Sequence, residues 1–377
     1  MEVLGFVWNY GVMFLVVLTV LVFVHELGHY WAARRNGVKV EIFSIGFGPE
    51  LFGLTDRAGT RWKFSAIPLG GYVKMFGDAD VASRPGDEVE RMSAEERRVS
   101  FYHQSVARRA VIVAAGPIAN FLFAIVALAL LFMVYGQPYT PPVIEQVQPD
   151  GAAAEAGIEP GDRIVEIDGR RMDRFEDILQ TVLLNPGRPL EMVVERDGAQ
   201  LDKLVTPRAV QVEDRFGNVQ TIGRLGVIRG ADAFIKRDPL TAVWHAGRET
   251  LNLSVGTLQA VGQMLSGTRG TEELGGPLRI AQMSGQVAQT SFVAMVWFMA
   301  ILSINLGLIN LFPIPMLDGG HLLFYGIEAV RGRPLGDRAQ EYGFRIGLAL
   351  VLTLMVFATW NDLVHLRVVE FFVDLLS

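Results

Sequence analysis

The stretch "VLVFVHELGHYWAAR", Val20 to Arg34, decides how the rest of the chain is read. It sets two imidazoles and a carboxylate, His25, Glu26 and His29, into an apolar run that reaches back to Phe6. Carried through the motif to Ala33, that run makes a helix long enough to cross ~30 Å of hydrocarbon. Helical residues four apart lie ~6 Å apart along the axis and ~40° around it, so His25 and His29 converge on one ion. Glu26 then points beside the ion, where it is placed to accept a proton from water. Ionised groups inside a membrane helix cost roughly 2.5 to 3.5 kcal/mol each on insertion scales, so this triplet is expected to serve function rather than packing. A cleaved signal peptide fits poorly, because Glu2 stands where a positive region belongs and no small-residue cleavage site precedes His25.

Working outward, the 377 residues are 50% hydrophobic and 20% charged, with the apolar residues gathered in blocks, as in a membrane protein with a soluble insert. Further blocks run from about Val106 to Tyr135, Phe292 to Phe312 and Ile346 to Phe357, the last extending towards Leu366, giving four expected spans. Arg34, Arg35 and Lys39 follow the first span, Arg108 and Arg109 open the second, and Arg331, Arg333, Arg338 and Arg345 lie between the third and fourth. Basic flanks stay cytoplasmic, so the metal motif is expected near the cytoplasmic face and the long insert outside. The net charge of −6 and the lack of a basic stripe exclude a general nucleic-acid binder. With no cysteine, any metal must be held by His, Asp, Glu or Asn.

The insert begins "VIEQVQPDGAAAEAGIEPGDRIVEIDGRRM", a strand, a short helix, a Pro-Gly-Asp turn and a second strand. "DRFEDILQTVLLN" has helical spacing, and "PLEMVVERDGAQLDKLVTP" reads as a hairpin turning at Asp197-Gly198. This order resembles a PDZ domain of the circularly arranged bacterial kind, with Leu225, Gly226 and Val227 similar to its carboxylate-binding loop. The expected divisions are 1–137 for the first half of a membrane core, 138–230 for the PDZ domain, 231–291 for an amphipathic helical linker and 292–377 for the second half.

A catalytic zinc site needs a third protein ligand. In "NLGLINLFPIPMLDGGHLLF", Pro313 and Pro315 break the third span, so the following turn can swing Asp318 into the membrane interior; His321, in the same turn, is the rival ligand. "VHELGHYWAAR" and "NLFPIPMLDGGHLLF", with "GPIAN" at Gly116 to Asn120 and the PDZ-like insert between spans two and three, resemble the site-2 protease family of intramembrane zinc metalloproteases, nearest its bacterial RseP branch. The resemblance covers nearly the whole chain. One departure is that enterobacterial members carry two PDZ domains where this chain has room for one.

The resemblance implies a polytopic α-helical membrane protein of about four transmembrane helices, with a membrane-associated β-hairpin at about 60–78 and an inserted α+β PDZ domain. It makes Asp318 the third ligand of one Zn2+ per chain and Glu26 the catalytic base. It places Asn120 and Asn310, and more weakly Asn305, near the active centre as substrate-anchoring or oxyanion residues. The hairpin around Pro68 to Gly71 would dip into the bilayer and pair with an unwound substrate. Implied partners are the lipid bilayer and single-span proteins of the anti-sigma factor type or signal-peptide remnants. The implied location is the bacterial inner membrane, with the PDZ domain in the periplasm. An inactive membrane-anchored PDZ adaptor and a zinc transporter are the competing readings.

Overall fold

The computed structural model describes residues 10–78, 91–213, 219–230, 233–267 and 275–365. The start of the expected first span, Phe6 to Asn9, and the end of the fourth at Leu366 lie outside the described residues. The chain divides into two units, Phe132–Asp238 and the flanking stretches Met1–Leu131 with Pro239–Ser377. The insert unit is therefore wider than the 138–230 expected from sequence.

In the flanking unit, helix α1 (Val12–Arg35) is about 36 Å long. Arg34 and Arg35 sit in its last turn, where cations complement the carbonyl end, and Gly37 at φ +79° turns the chain out. Strands β1 (Val40–Thr55) and β2 (Arg61–Met75) follow. Each is bent, at Gly46 and Gly48 (φ +88° and +87°) and at Gly70 (φ +124°), conformations that favour glycine. Residues 40–45 consequently pair with 71–75 on one side and face 61–64 on the other, while 52–55 pair with 61–64. The two short runs expected around Pro68 to Gly71 exist, but they do not pair with each other. Residues 40–45, which the sequence reading left out of the hairpin, lie between them.

Helix α2 (Ala94–Val99) starts on a capping box of Ser93 and Glu96. Helix α3 (Val106–Val134) carries Pro117, which removes one rung from its hydrogen-bond ladder. Phe43, Phe101, Ile112 and Tyr325 are buried together with Ala32 and Ala33 of α1, fixing the bent sheet beside the metal motif.

The insert unit opens with β3 (Gln137–Tyr139), β4 (Ile144–Val147), α4 (Ala152–Glu155), β5 (Arg163–Ile167), β6 (Arg170–Arg171) and α5 (Phe175–Leu183). It continues with β7 (Leu190–Arg196), β8 (Ala199–Val205), β9 (Arg208–Glu213), β10 (Val219–Arg224), β11 (Val227–Arg229) and β12 (Ala233–Ile235). A four-stranded sheet of order β6-β5-β7-β8 is accompanied by the pairs β9–β10, β4–β11 and β3–β12. The β7–β8 hairpin turns at Asp197 and Gly198, both at positive φ, matching the Asp-Gly signal in the sequence. Its core is aliphatic, including Ile144, Ile164, Ile178, Leu190, Met192 and Val194.

The flanking unit resumes with α6 (Pro239–Leu265), α7 (Pro277–Thr290), α8 (Phe292–Leu311), α9 (Asp318–Arg331) and α10 (Asp337–His365). Among the described residues, α1, α3, α8 and a stretch of α10 (Arg338–Leu363) are long and apolar enough to cross a membrane. Helix α6 is not among them: it buries a narrow face of Ala242, Ala246 and Thr250 and leaves Leu240, Val243, Trp244 and Leu251 exposed. The linker region also contains α7, capped by Asp362 of α10, whose carboxylate accepts from the backbone N–H groups of Gly276 (2.8 Å) and Arg279 (3.0 Å).

Candidate metal centre

Helix α1 turns His25 and His29 to the same side, with their Nε2 atoms 3.2 Å apart. After α8, the segment Phe312 to Leu317 carries Met316 at φ +90°, a strained setting for a non-glycine residue, and delivers Asp318 as the first residue of α9. A carboxylate there is favoured by the helix N-terminus. Gly319 and Gly320 make this turn possible, since a Cβ on either would lie 2.3–2.4 Å from a backbone oxygen of residues 311–314. Asp318 Oδ2 stands 3.1 Å from His25 Nε2 and 3.5 Å from His29 Nε2.

These three edges are those of a tetrahedral site with ligand bonds of ~2.0–2.1 Å, for which ligand atoms lie ~3.3 Å apart. Asp318 Oδ2 is buried and lacks a hydrogen-bond partner of its own, as suits a ligand oxygen awaiting a cation. Nitrogen and oxygen donors of this number are a catalytic zinc set, with one position left for water or substrate. His29 Nδ1 is 3.0 Å from the carbonyl oxygen of Ile112, which can only accept. The ring proton therefore sits on Nδ1 and the lone pair of Nε2 faces the other two ligands.

A cavity of about 200 Å3 adjoins the three ligands and is lined also by Glu26, Asn310, His321 and Tyr325. At roughly 30 Å3 per water it has room for several, so hydrolytic chemistry has solvent at hand inside an apolar setting. Glu26 lines this cavity together with Gly71, Tyr72 and Val73 of β2. Asn310 gives one amide hydrogen to the Leu306 carbonyl at 3.0 Å.

Not every expected residue arrives here. His321 lines the cavity but is not one of the three clustered ligand atoms. Asn305 turns away, accepting from Thr257 Oγ1 of α6 at 3.2 Å. Asn120 is fully buried behind the site, 3.3 Å from His25 Nδ1, and does not line the cavity, so a direct oxyanion role does not fit its placement. Leu225, Gly226 and Val227 border a separate cavity of about 360 Å3 in the insert unit, closed on the other side by Ile178 and Val182 of α5.

Sequence reading missed Tyr325 and the pair Arg109–Glu328, joined at 2.6 Å with Arg109 lying 4.8 Å over the Tyr325 ring. Asp318, His321, Tyr325 and Glu328 recur at steps of three and four, so helical spacing from Asp318 was the available signal.

Sequence similarity to peptidase family M50 extends over residues 13–354. A protein of Agrobacterium fabrum, provisionally named a zinc metalloprotease, is 48% identical over 368 residues, covering 96% of this chain and 98% of its own. Metalloprotease MmpA of Caulobacter vibrioides is 38% identical, with 95% and 96% covered. Protease RseP of Yersinia pestis is 34% identical, with 93% and 97% covered, over an alignment of 451 positions that exceeds the 377 residues of this chain. Among solved structures, the PDZ domain of an SdrC-like protein from Listeria monocytogenes is 18% identical at a TM-score of 0.19, covering 24% of this chain and 88% of its own, too slight a likeness to carry weight.

Proposed function

The chain belongs to peptidase family M50 and is a zinc metalloprotease, and from that premise we propose that it hydrolyses peptide bonds within membrane-spanning segments of single-span membrane proteins. The observation that carries this reading is the cluster of His25, His29 and Asp318 beside a cavity with room for several waters, between helices able to cross a membrane.

When bound, Zn2+ would supply the Lewis acidity that makes water nucleophilic near neutral pH and polarises the scissile carbonyl. Glu26 takes the proton of the attacking water on its carboxylate and returns it to the leaving nitrogen as the C–N bond breaks. Asn310, with one amide hydrogen on Leu306, keeps a second for the developing oxyanion. A substrate helix hides its peptide bonds in its own ladder and must be unwound to be cut. Residues 71–75 form an edge of the bent sheet, and Gly71, Tyr72 and Val73 line the catalytic cavity, so an extended substrate strand can pair there.

We assign one zinc per chain, a bacterial inner-membrane location with the catalytic centre near the cytoplasmic face, and substrates of the anti-sigma factor type or signal-peptide remnants. The insert unit is read as a periplasmic PDZ domain that takes a peptide C-terminus at Leu225, Gly226 and Val227.

The test is Glu26→Gln in the purified full chain, reconstituted with a single-span substrate. Cleavage should fall by about 10²–10⁴-fold while zinc content holds, because the substitution removes the base and spares the ligands. Undiminished cleavage, or zinc bound without any cut product from the unaltered chain, would refute the reading.

A further inference from the structure

Resting on that reading, we propose that Asn120 is a positioning residue for the metal: its side-chain oxygen accepts the Nδ1 proton of His25 and thereby keeps the Nε2 lone pair turned towards His29 and Asp318. Asn120 is fully buried, with one end of its side-chain amide 3.3 Å from His25 Nδ1 and the other end without a hydrogen-bond partner. Amide oxygen and nitrogen are assigned by their hydrogen bonds, and here the chemistry of the ring decides. Were the amide N–H to donate to Nδ1, the ring proton would be forced onto Nε2, where it blocks ligation. With the oxygen facing the ring, the proton sits on Nδ1 and Nε2 is free to bind.

Helix α3 repeats the device. Ile112, Gly116 and Asn120 are spaced by four and share one face. The Ile112 carbonyl fixes the tautomer of His29, and Gly116 leaves room for the His29 ring, since a Cβ there would lie 2.2 Å from Nε2. Asn120 then does for His25 what Ile112 does for His29. Its own carbonyl is in turn held by Ser303 Oγ of α8 at 2.9 Å. Partners of this kind typically change metal affinity by 10–100-fold.

Asn120→Ala and Asn120→Asp separate the possibilities, with zinc affinity measured by chelator competition on the detergent-solubilised full chain and the cobalt-substituted protein followed by its visible spectrum. An ionised Asp can accept from Nδ1 but cannot donate. The expected result is a 10–100-fold weaker affinity and an altered cobalt spectrum for Asn120→Ala, with Asn120→Asp within a few-fold of the unaltered chain. Equal loss in both variants would assign the amide N–H and overturn the proposal, as would retained affinity in the near-isosteric, acceptor-free Asn120→Leu, which would assign simple packing. Unchanged affinity in both, with cleavage lost, would return Asn120 to a substrate role and overturn it equally. Should Asn120→Ala fail to fold, Asn120→Asp and Asn120→Leu decide together, since only an acceptor role predicts that the first retains zinc and the second loses it. Failure of the protease reading itself would show as missing cleavage in the unaltered chain, which these affinities do not depend on.

Discussion

At the scale of single residues, the centre depends on what is absent as much as on its ligands. Gly116→Ala would drive a methyl group into the His29 ring, so zinc content should fall and cleavage drop by at least about tenfold. Gly256→Ala, where the added Cβ meets open space, should leave both unchanged; metal analysis of the two variants checks this. His25, Glu26 and His29 were legible in the sequence because one helix carries all three, and helical geometry is local. Asp318, 289 positions beyond His29, was singled out from its Leu-Asp-Gly-Gly turn but chosen over His321 only through family resemblance. The three asparagines show the limit. A polar residue in an apolar span marks a face that must be satisfied, but not what it faces: Asn310 turns to the cavity, Asn120 to the back of His25 and Asn305 to α6.

At the scale of elements, Asp197-Gly198 and the Pro160-Gly161-Asp162 turn were readable because turn chemistry is local. The bent sheet was not, because residues 40–45 pair across a bend that no periodicity records. The Pro-Gly-Asp turn also carries an electrostatic tie. Asp162 accepts from Arg196 Nε at 2.7 Å and Nη2 at 2.8 Å, and from the Glu159 N–H at 2.8 Å. Burial pushes the Asp162 carboxyl up, but these donors outweigh it and hold the group below the ordinary carboxylate range. A carboxylate with a depressed folded pKa stabilises the fold above the unfolded value, and that contribution fades as pH falls through the folded one. Arg196→Met should therefore lower the melting temperature of the insert unit at pH 7, and the gap to the unaltered chain should narrow below about pH 4. Thermal unfolding across pH, followed by a fluorophore on a cysteine introduced at Gln200 of this cysteine-free chain, reads it; a gap that widens in acid would contradict the assignment.

At the scale of the whole molecule, the chain suits a direct test of its proposed orientation in the bilayer. It has no cysteine, so an introduced thiol reports without background. A thiol at Arg333, exposed between the last two spans, should react with an impermeant reagent only from the cytoplasmic side, and one at Gln200, exposed in the β7–β8 hairpin, only from the opposite side. Labelling of both from one side would overturn the proposed topology. The pairing of β3 with β12 has a consequence of a different kind. The insert unit leaves and returns on neighbouring antiparallel strands, with Gln137 opposite Ile235, so its two junctions are clasped together whatever is folded between them. A module held this way can be doubled, trimmed or exchanged without pulling on the spans at either side. Insertions or exchanges between these two strands then become evolutionarily permissible, because the chain enters and leaves the unit by a single fixed doorway.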